Sequence, residues 1–336
     1  DVDDKIIKRA AENGESCDNL TERFIAAMHE DERALNVLPP SQEPRATAHM
    51  QAIIDMVQNL IDKDYAYAAE NGDVYYRVEK FATYGALSNR KLEDMRAGAR
   101  VDVNDIKENP FDFVLWKAAK PGEISWASPW GEGRPGWHIE CSAMSTCCLG
   151  NTFDIHGGGP DLKFPHHENE IAQSEGATGH KYVNYWMHAG AVRVNKEKMS
   201  KSLSNFTTLA DLLGHWDPRA LRLLVLQTHY RHTMEIGADA LDGAVAALGR
   251  LDAFTDRSAA AELPDAPPDT EVVNRFRDAM DDDLSTPAAV AVLFDAVRDA
   301  NRALDDADTS RAGELAAAIE TVTGALGLVL GRAHRP

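Results

Sequence analysis

Apolar residues recur at three- and four-residue spacings over several stretches, and each such spacing predicts an amphipathic helix. Within residues 4–36, Leu20, Phe24, Ile25 and Met28 mark one apolar stripe. Pro39-Pro40 breaks that run. Beyond Pro44, a second helix shows an apolar face of Met50, Ile53, Ile54, Val57, Leu60 and Ile61, the pattern of a core-facing surface. At 73–78 the pattern shortens to a strand, entered through an Asn71-Gly72 turn. Residues 80–135, interrupted by Pro110, Pro121, Pro129 and Pro135 and punctuated by Trp116, Trp126 and Trp130, read as an irregular, loop-rich subdomain. Residues 182–194 read as a buried strand with its flanks. Asp217-Pro218 opens a helix carrying Leu221, Leu223, Leu224 and Leu226, with Asp217 as N-cap and Pro218 at N1. Residues 238–330 are Ala-rich and helical, with a Pro-containing linker over 259–269. Ser285-Thr286-Pro287 caps a further helix whose Val290, Leu293, Val297 and Leu304 face a core. No internal repeat is visible.

Composition narrows the class. The chain has 336 residues, 44% hydrophobic and 26% charged, which suits a globular protein of two or three domains. No apolar run reaches transmembrane length and no signal peptide opens the chain, so no membrane partner is expected. The four cysteines, Cys17, Cys141, Cys147 and Cys148, are irregularly placed, which fits a reducing cytoplasm better than a disulfide framework. A net charge of −19 excludes a simple nucleic-acid coat: an RNA partner would have to meet local basic patches on an acidic body. Such acidity also fits a salty cytoplasm.

The densest chemistry lies between 136 and 170. Gly136-Trp137-His138-Ile139-Glu140-Cys141 is followed, from Phe153, by a stretch holding His156, Gly157, Gly158, Gly159, Pro160, Asp161 and then Pro165-His166-His167-Glu168-Asn169-Glu170. His166 and Glu170 are four apart, hence on one face of a helix that Pro165 can start. With Cys141 they offer an imidazole, a carboxylate and a thiolate, all of which zinc accepts. A buried cysteine acting as a small hydrophobe, beside a solvated His/Glu helix pair, explains the same spacing. Three ligands leave a tetrahedral site open, to be filled by substrate or by a donor elsewhere. The His167-Glu168 pair is not the start of a zincin motif, because Ile171 stands where the second histidine belongs. Further on, Lys196, Lys198 and Lys201 cluster around Lys198-Met199-Ser200-Lys201-Ser202, after a strand-like run over 189–194. Ammonium groups there could neutralise charge developing on a triphosphate, or simply line an exposed loop.

Taken together and in this order, the stretches 136–141, 153–170 and 198–202 resemble the cysteinyl-tRNA synthetases, class I aminoacyl-tRNA synthetases, over essentially the whole chain. The resemblance implies an α/β protein with a Rossmann-type parallel sheet, incomplete at its N-terminus, a connective insertion, and a following α-helical bundle. It implies five parts: 1–45, the rest of a first Rossmann half; 46–135, the insertion; 136–190, the second half with the zinc and nucleotide site; 191–237, the KMSKS loop and stem-contact region; and 238–336, the tRNA-binding bundle. It also implies that the chain is an internal fragment. The family's HIGH segment, its first zinc cysteine and its anticodon domain would then lie outside it, and the fragment alone would form adenylate poorly. The implied activity is a ligase reaction. L-cysteine and ATP, with Mg2+, give cysteinyl-adenylate, and the cysteinyl group passes to tRNA-Cys. One zinc would be held by Cys141, His166 and Glu170 and a fourth ligand upstream, and would select the substrate thiol. Trp137 and His156 would line the cysteine pocket. His156, Gly157, Gly158, Gly159 and Asp161 would meet the adenosine. Lys201, assisted by Lys198, would stabilise the α-phosphate and the departing pyrophosphate. A cytoplasmic monomer is the corresponding expectation. Two departures stand out: Ser204 where the family has glycine, and Pro160 where serine or an aliphatic residue is common. Mycothiol cysteine ligases are close relatives, but His156, Asn169 and Glu170 favour the synthetases. A truncated paralogue that binds cysteine or tRNA without chemistry is the remaining alternative.

Overall fold

The computed structural model describes residues 1–92, 106–194, 197–198 and 208–331. Its contacts divide the chain into two compact units. One comprises Asp1–Ala26 with Pro40–His188, the other Ala27–Pro39 with Ala189–Pro336.

The first unit begins with helices α1 (Asp4–Asn13) and α2 (Cys17–Ala34), the latter running past the unit boundary. The stripe expected to bury α2 does so only at Leu20, which is 3% exposed; Phe24 and Met28 are exposed. Helix α3 (Met50–Asp62) behaves as its periodicity requires: Met50, Ile53, Ile54, Val57 and Leu60 are all buried. A four-stranded antiparallel sheet packs on the same core, in the order β1 (Ala66–Ala68), β2 (Val74–Tyr76), β3 (Phe113–Ala118), β4 (Gly133–Pro135). The Asn71-Gly72 turn joins β1 to β2, with Gly72 at φ 86°. The loop-rich expectation for 80–135 is thus corrected: β3 and β4 lie inside it. Gly133 and Pro135 are themselves paired in β4, opposite Ala118 and Trp116, and Leu115 and Trp116 are wholly buried.

Helix α4 (Trp137–Leu149) follows, with Gly136 at its N-cap. Strand β5 (Phe153–Gly158) then pairs in parallel with β6 (Val183–His188), from Phe153 opposite Val183 to Gly158 opposite His188. Their crossover is a π-helical segment, Lys163–His167, kinked at Phe164 (φ −144°, ψ 131°) and running into helix α5 (Glu168–Thr178). This is the βαβ arrangement expected of the parallel sheet. The stretch 182–194 holds two strands in different sheets: β6, where a buried strand was expected, and a second inside the strand-like run expected over 189–194. β6 exposes Asn184 and Tyr185, and β7 (Val192–Val194) belongs to the second unit.

In the second unit β7 pairs antiparallel with β8 (Glu197–Lys198) and parallel with β9 (Met234–Ile236). Helix α6 (Leu209–Leu213) carries a capping box between Thr208 and Asp211. Helix α7 (Pro218–Leu226) starts as the sequence requires: Asp217 accepts from the Arg219 N–H and Pro218 opens the first turn. Helices α8 (Ala238–Ala260), α9 (Thr270–Asp281), α10 (Thr286–Asp305) and α11 (Thr309–Ala325) complete a helical core with α7. Leu223, Leu241, Leu251, Leu293 and Leu315 are its fully buried large side chains. Ser285 sits at the α10 N-cap as expected, but its side chain makes no cap hydrogen bond.

Candidate functional site

Helices α4 and α5 are joined by a polar seam. The Gln173 side chain, wholly buried on α5, donates to the His138 carbonyl at 2.9 Å and to Ser142 Oγ at 2.8 Å on α4. Ser145 Oγ donates to the Cys141 carbonyl and shares a 2.7 Å hydrogen bond with Tyr182 OH, so the residue that leads into strand β6 is tied to the same seam. The seam fixes the two helix faces that carry the predicted chemistry.

Those faces bring Cys141, His166 and Glu170 together: one potential ligand atom from each lies within 4.8 Å of the others. The same criterion also groups His156, His167 and Glu170. Glu170 is therefore the centre of both sets. Its Oε2 lies 3.3 Å from His156 Nε2, 3.6 Å from His166 Nε2 and 3.9 Å from His167 Nε2. It is fully buried, yet Oε2 has no hydrogen-bond partner.

The ring contacts explain the remaining geometry. His138 and His166 face each other Nδ1 to Nδ1 at 2.7 Å, so one nitrogen donates and the other accepts. Burial, together with the neighbouring His166, pushes His138 down to about 3. Burial likewise lowers His166, against the opposing pull of Glu170. His167 Nδ1 meets His188 Nε2 at 2.9 Å, and burial among His156, His188 and His166 takes His167 down to about 3. His138, His166 and His167 are accordingly neutral near pH 7, the form that ligates a metal. Burial, reinforced by the Glu170 and Glu140 carboxylates, pushes the Cys141 thiol up to about 12. A protonated thiol, neutral imidazoles and an unpartnered carboxylate oxygen form a site that a divalent cation would complete, because its charge reverses the local preference for uncharged groups. The donor chemistry fits zinc.

Trp137, at the first turn of α4, stacks on His166 with centroids 4.4 Å apart and remains 56% exposed. Its ring presents an apolar face beside the cluster. His156 lies on β5 opposite Trp186 on β6, with ring centroids 4.8 Å apart. Of the glycines that follow, Gly158 is sterically required: a Cβ there would come 2.8 Å from the His167 ring. Gly157 has room, its nearest neighbour being the Met187 carbonyl at 3.6 Å. Asp161 is exposed on the turn before the π-helical segment. Lys201 and Ser204 lie outside the described residues. Lys198 closes strand β8, opposite Arg193 of β7. The residue-by-residue reading gave no role to His138, His167, His188 or Tyr182. His138 and His167 are next to predicted residues in sequence, whereas His188, on β6, and Tyr182, just before it, are brought near only by the crossover.

A family model described as tRNA synthetases class I (C) catalytic domain matches residues 1–246, and a DALR domain matches residues 275–331. The cysteine–tRNA ligase of Hahella chejuensis is 61% identical over 333 residues, covering 98% of this chain and 71% of that protein. The cysteine–tRNA ligase of Chromohalobacter salexigens is 60% identical over 332 residues, covering 98% of this chain and 70% of that protein. Among solved structures, Mycobacterium tuberculosis methionyl-tRNA synthetase in complex with methionyl-adenylate superposes with a TM-score of 0.67 at 15% identity, covering 96% of this chain and 80% of that one. That likeness shows a shared fold.

Proposed function

The chain belongs to the cysteine–tRNA ligases, a family of class I aminoacyl-tRNA synthetases, and from that membership we propose how its own residues carry the activity. The activity is the ATP-dependent joining of L-cysteine to tRNA-Cys. Cysteine selection is assigned to the cluster around Glu170. Cys141, His166 and Glu170 would hold one zinc ion. The observation that carries this reading is the buried, unpartnered Glu170 Oε2, ringed by imidazole nitrogens. Zinc bound there supplies a centre that favours the sulfur of cysteine over the oxygen of serine. Such a difference allows serine to be rejected without a separate editing site.

The protein's own groups do the rest. Trp137 offers its exposed face to the substrate side chain, and its stacking holds His166 in place. His138 and His167, each hydrogen-bonded through Nδ1 to a second histidine, fix the orientation of the rings around Glu170. His156, Gly157, Gly158, Gly159 and Asp161 run from the end of β5 into the turn that leads to α5, and are assigned to the adenosine. Lys201, with Lys198, is assigned to the α-phosphate and the leaving pyrophosphate. The cysteine carboxylate is already a nucleophile, so this step needs positioning and charge stabilisation and no general base. Mg2+ accompanies ATP. The five-part division at 45, 135, 190 and 237, a monomeric state and a cytoplasmic location belong to the same reading. No described helix is long and apolar enough to cross a membrane.

The test is metal content alongside cysteine-dependent ATP–pyrophosphate exchange, with Cys141→Ser and Lys201→Ala as variants. Cys141→Ser should lose the metal and the preference for cysteine over serine. Lys201→Ala should keep the metal and lose roughly 10²–10³ in exchange rate, the usual effect of removing one charge-stabilising donor. Unchanged cysteine selectivity in metal-free protein would refute the assignment.

A further inference from the structure

We propose that Glu168 is a positioning residue for the tRNA step. Its carboxylate latches loop 84–90 onto the helix that carries Glu170, and so fixes the basic edge formed by Arg90 and Lys91 as a contact for tRNA phosphates. The proposal rests on the ligase reading above.

Glu168 is 1% exposed, as buried as the cluster beside it, yet no part of that cluster uses it. Successive helical residues point about 100° apart, so Glu168 and Glu170 face roughly opposite sides of α5. Both carboxylate oxygens of Glu168 are taken by main-chain donors. Oε2 accepts from the Gly85 N–H at 3.0 Å, and Oε1 accepts from the Ser88 N–H at 2.6 Å. The neighbouring Asn169 Oδ1 accepts from the Tyr84 hydroxyl. One turn earlier, the Phe164 ring meets the edge of Tyr84, with centroids 6.5 Å apart, and lies under the Arg90 guanidinium at 4.3 Å. Five contacts from three residues of the 164–169 segment therefore hold one short loop.

The loop is shaped for that attachment. Gly85 has φ +94°, and a Cβ there would sit 2.0 Å from the Arg90 carbonyl, so only glycine allows the turn to close. The Arg90 N–H completes it by donating to the Gly85 carbonyl at 2.9 Å. A buried carboxylate stripped of its donors is strongly disfavoured, so Glu168 holds the loop to a single docked position. Away from the helix, the same loop lines a cavity of about 550 Å³ whose rim includes Asn89, Arg90 and Lys91. Arg90 and Lys91 are exposed, on a protein whose net charge is −19. A phosphate-bearing ligand is drawn to such a local basic edge and repelled elsewhere. In this reaction the phosphate could be that of tRNA or of ATP. The proposal commits to tRNA, and the two half-reactions tell them apart.

The experiment uses the full chain with Glu168→Gln, Lys91→Ala and the double variant, in cysteine-dependent exchange and in tRNA charging, with bound zinc measured in each. The expected result is a split. KM for tRNA rises at least fivefold in each single variant, while exchange and zinc content stay within about twofold of the parent protein. Lys91→Ala adds less than twofold to Glu168→Gln, because the latch acts through the edge that Lys91 belongs to. Lys91→Ala is an exposed truncation, so it tests the edge even where Glu168→Gln folds poorly. An unchanged KM for tRNA in Lys91→Ala overturns the proposal. So does a KM for ATP that rises in place of it, or a loss of zinc and exchange in Glu168→Gln that matches the loss of charging. If the parent protein exchanges with cysteine but charges no tRNA, the ligase reading falls and this inference with it.

Discussion

Replacing Glu170 with glutamine should move stability and metal binding in opposite directions. Glu170 is fully buried and its Oε2 makes no hydrogen bond. Leaving a buried polar atom unpaired costs about 1–3 kcal/mol, and more for a charged group. Glutamine keeps the shape, removes the charge and adds N–H donors. His156 Nε2, 3.3 Å from the present oxygen, can accept one of them. Metal-free Glu170→Gln should therefore be more stable than metal-free parent by about 1–3 kcal/mol. At roughly 2–4 °C per kcal/mol for a unit of this size, thermal unfolding should shift upward by about 2–12 °C. With zinc present the order should reverse. A ligand at about 100 times its Kd stabilises by about 2.7 kcal/mol, and the variant, having lost its anionic donor, should gain little of that. The assay is thermal unfolding of chelator-treated protein with and without added zinc, followed by metal analysis of the dialysed samples. If the metal-free variant unfolds at a lower temperature than metal-free parent, Oε2 is not an unsatisfied site and the argument for a metal there loses its main support.

Three other outcomes follow from the packing and charges. Gly133→Ala should destabilise the first unit by about 1–3 kcal/mol, since its Cβ would meet Trp116 Nε1 at 2.3 Å and the Lys117 carbonyl at 2.4 Å; Gly157→Ala, with 3.6 Å of clearance, should leave the urea midpoint nearly unchanged. Leu293→Ala should cost the helical unit about 2–5 kcal/mol, because Leu293 is wholly buried in its core, and a midpoint shift in urea with constant slope would measure it. Arg231 and then Tyr230 hold the Asp283 carboxyl down to about 2, below its ordinary 3.8. Its contribution to stability is therefore present above pH 3.8 and lost as pH falls through about 2, so Asp283→Asn should flatten the acid limb of the unfolding profile between those values; an identical limb would contradict it.

Where a pattern is local, it was legible. The α3 face, with Met50, Ile53, Ile54, Val57 and Leu60 all buried, follows from helical spacing alone, as does the Asp217-Pro218 start of α7. The α/β class with a following helical bundle was legible through motif resemblance. Strand β3 was hidden because its apolar run from Phe113 to Trp116 lies between proline-rich flanks, and its pairing with β2 and β4 is long-range. Phe24 and Met28 show the opposite error: a helical stripe predicts a face but not what covers it. In the site, residue type and spacing picked out Cys141, His166 and Glu170, which the fold brings together. They could not reveal that His188 supports His167 from the far strand, since that contact exists only after the βαβ crossover forms.

The segment His166-His167-Glu168-Asn169-Glu170 reads as a charged, solvated helix face, yet all five residues are buried. Burying so many polar groups is tolerable only if each finds a partner. Glu168 finds two main-chain donors, Asn169 finds Tyr84, His166 finds His138 and His167 finds His188. Glu170 Oε2 is the exception. An unsatisfied carboxylate oxygen beside paired histidines is poor design for stability and sound design for a ligand, because the surrounding pairs hold the neighbouring rings in place while leaving that atom free to bind. The short helix thus separates two tasks by rotation about its axis. Glu170 faces the cluster that selects the amino acid. Glu168, two residues earlier, faces the loop assigned to tRNA. Shifting the register of α5 by a single residue would misplace both carboxylates at once, which is why the support from Gln173 across to α4 matters as much as the ligands it sets in place.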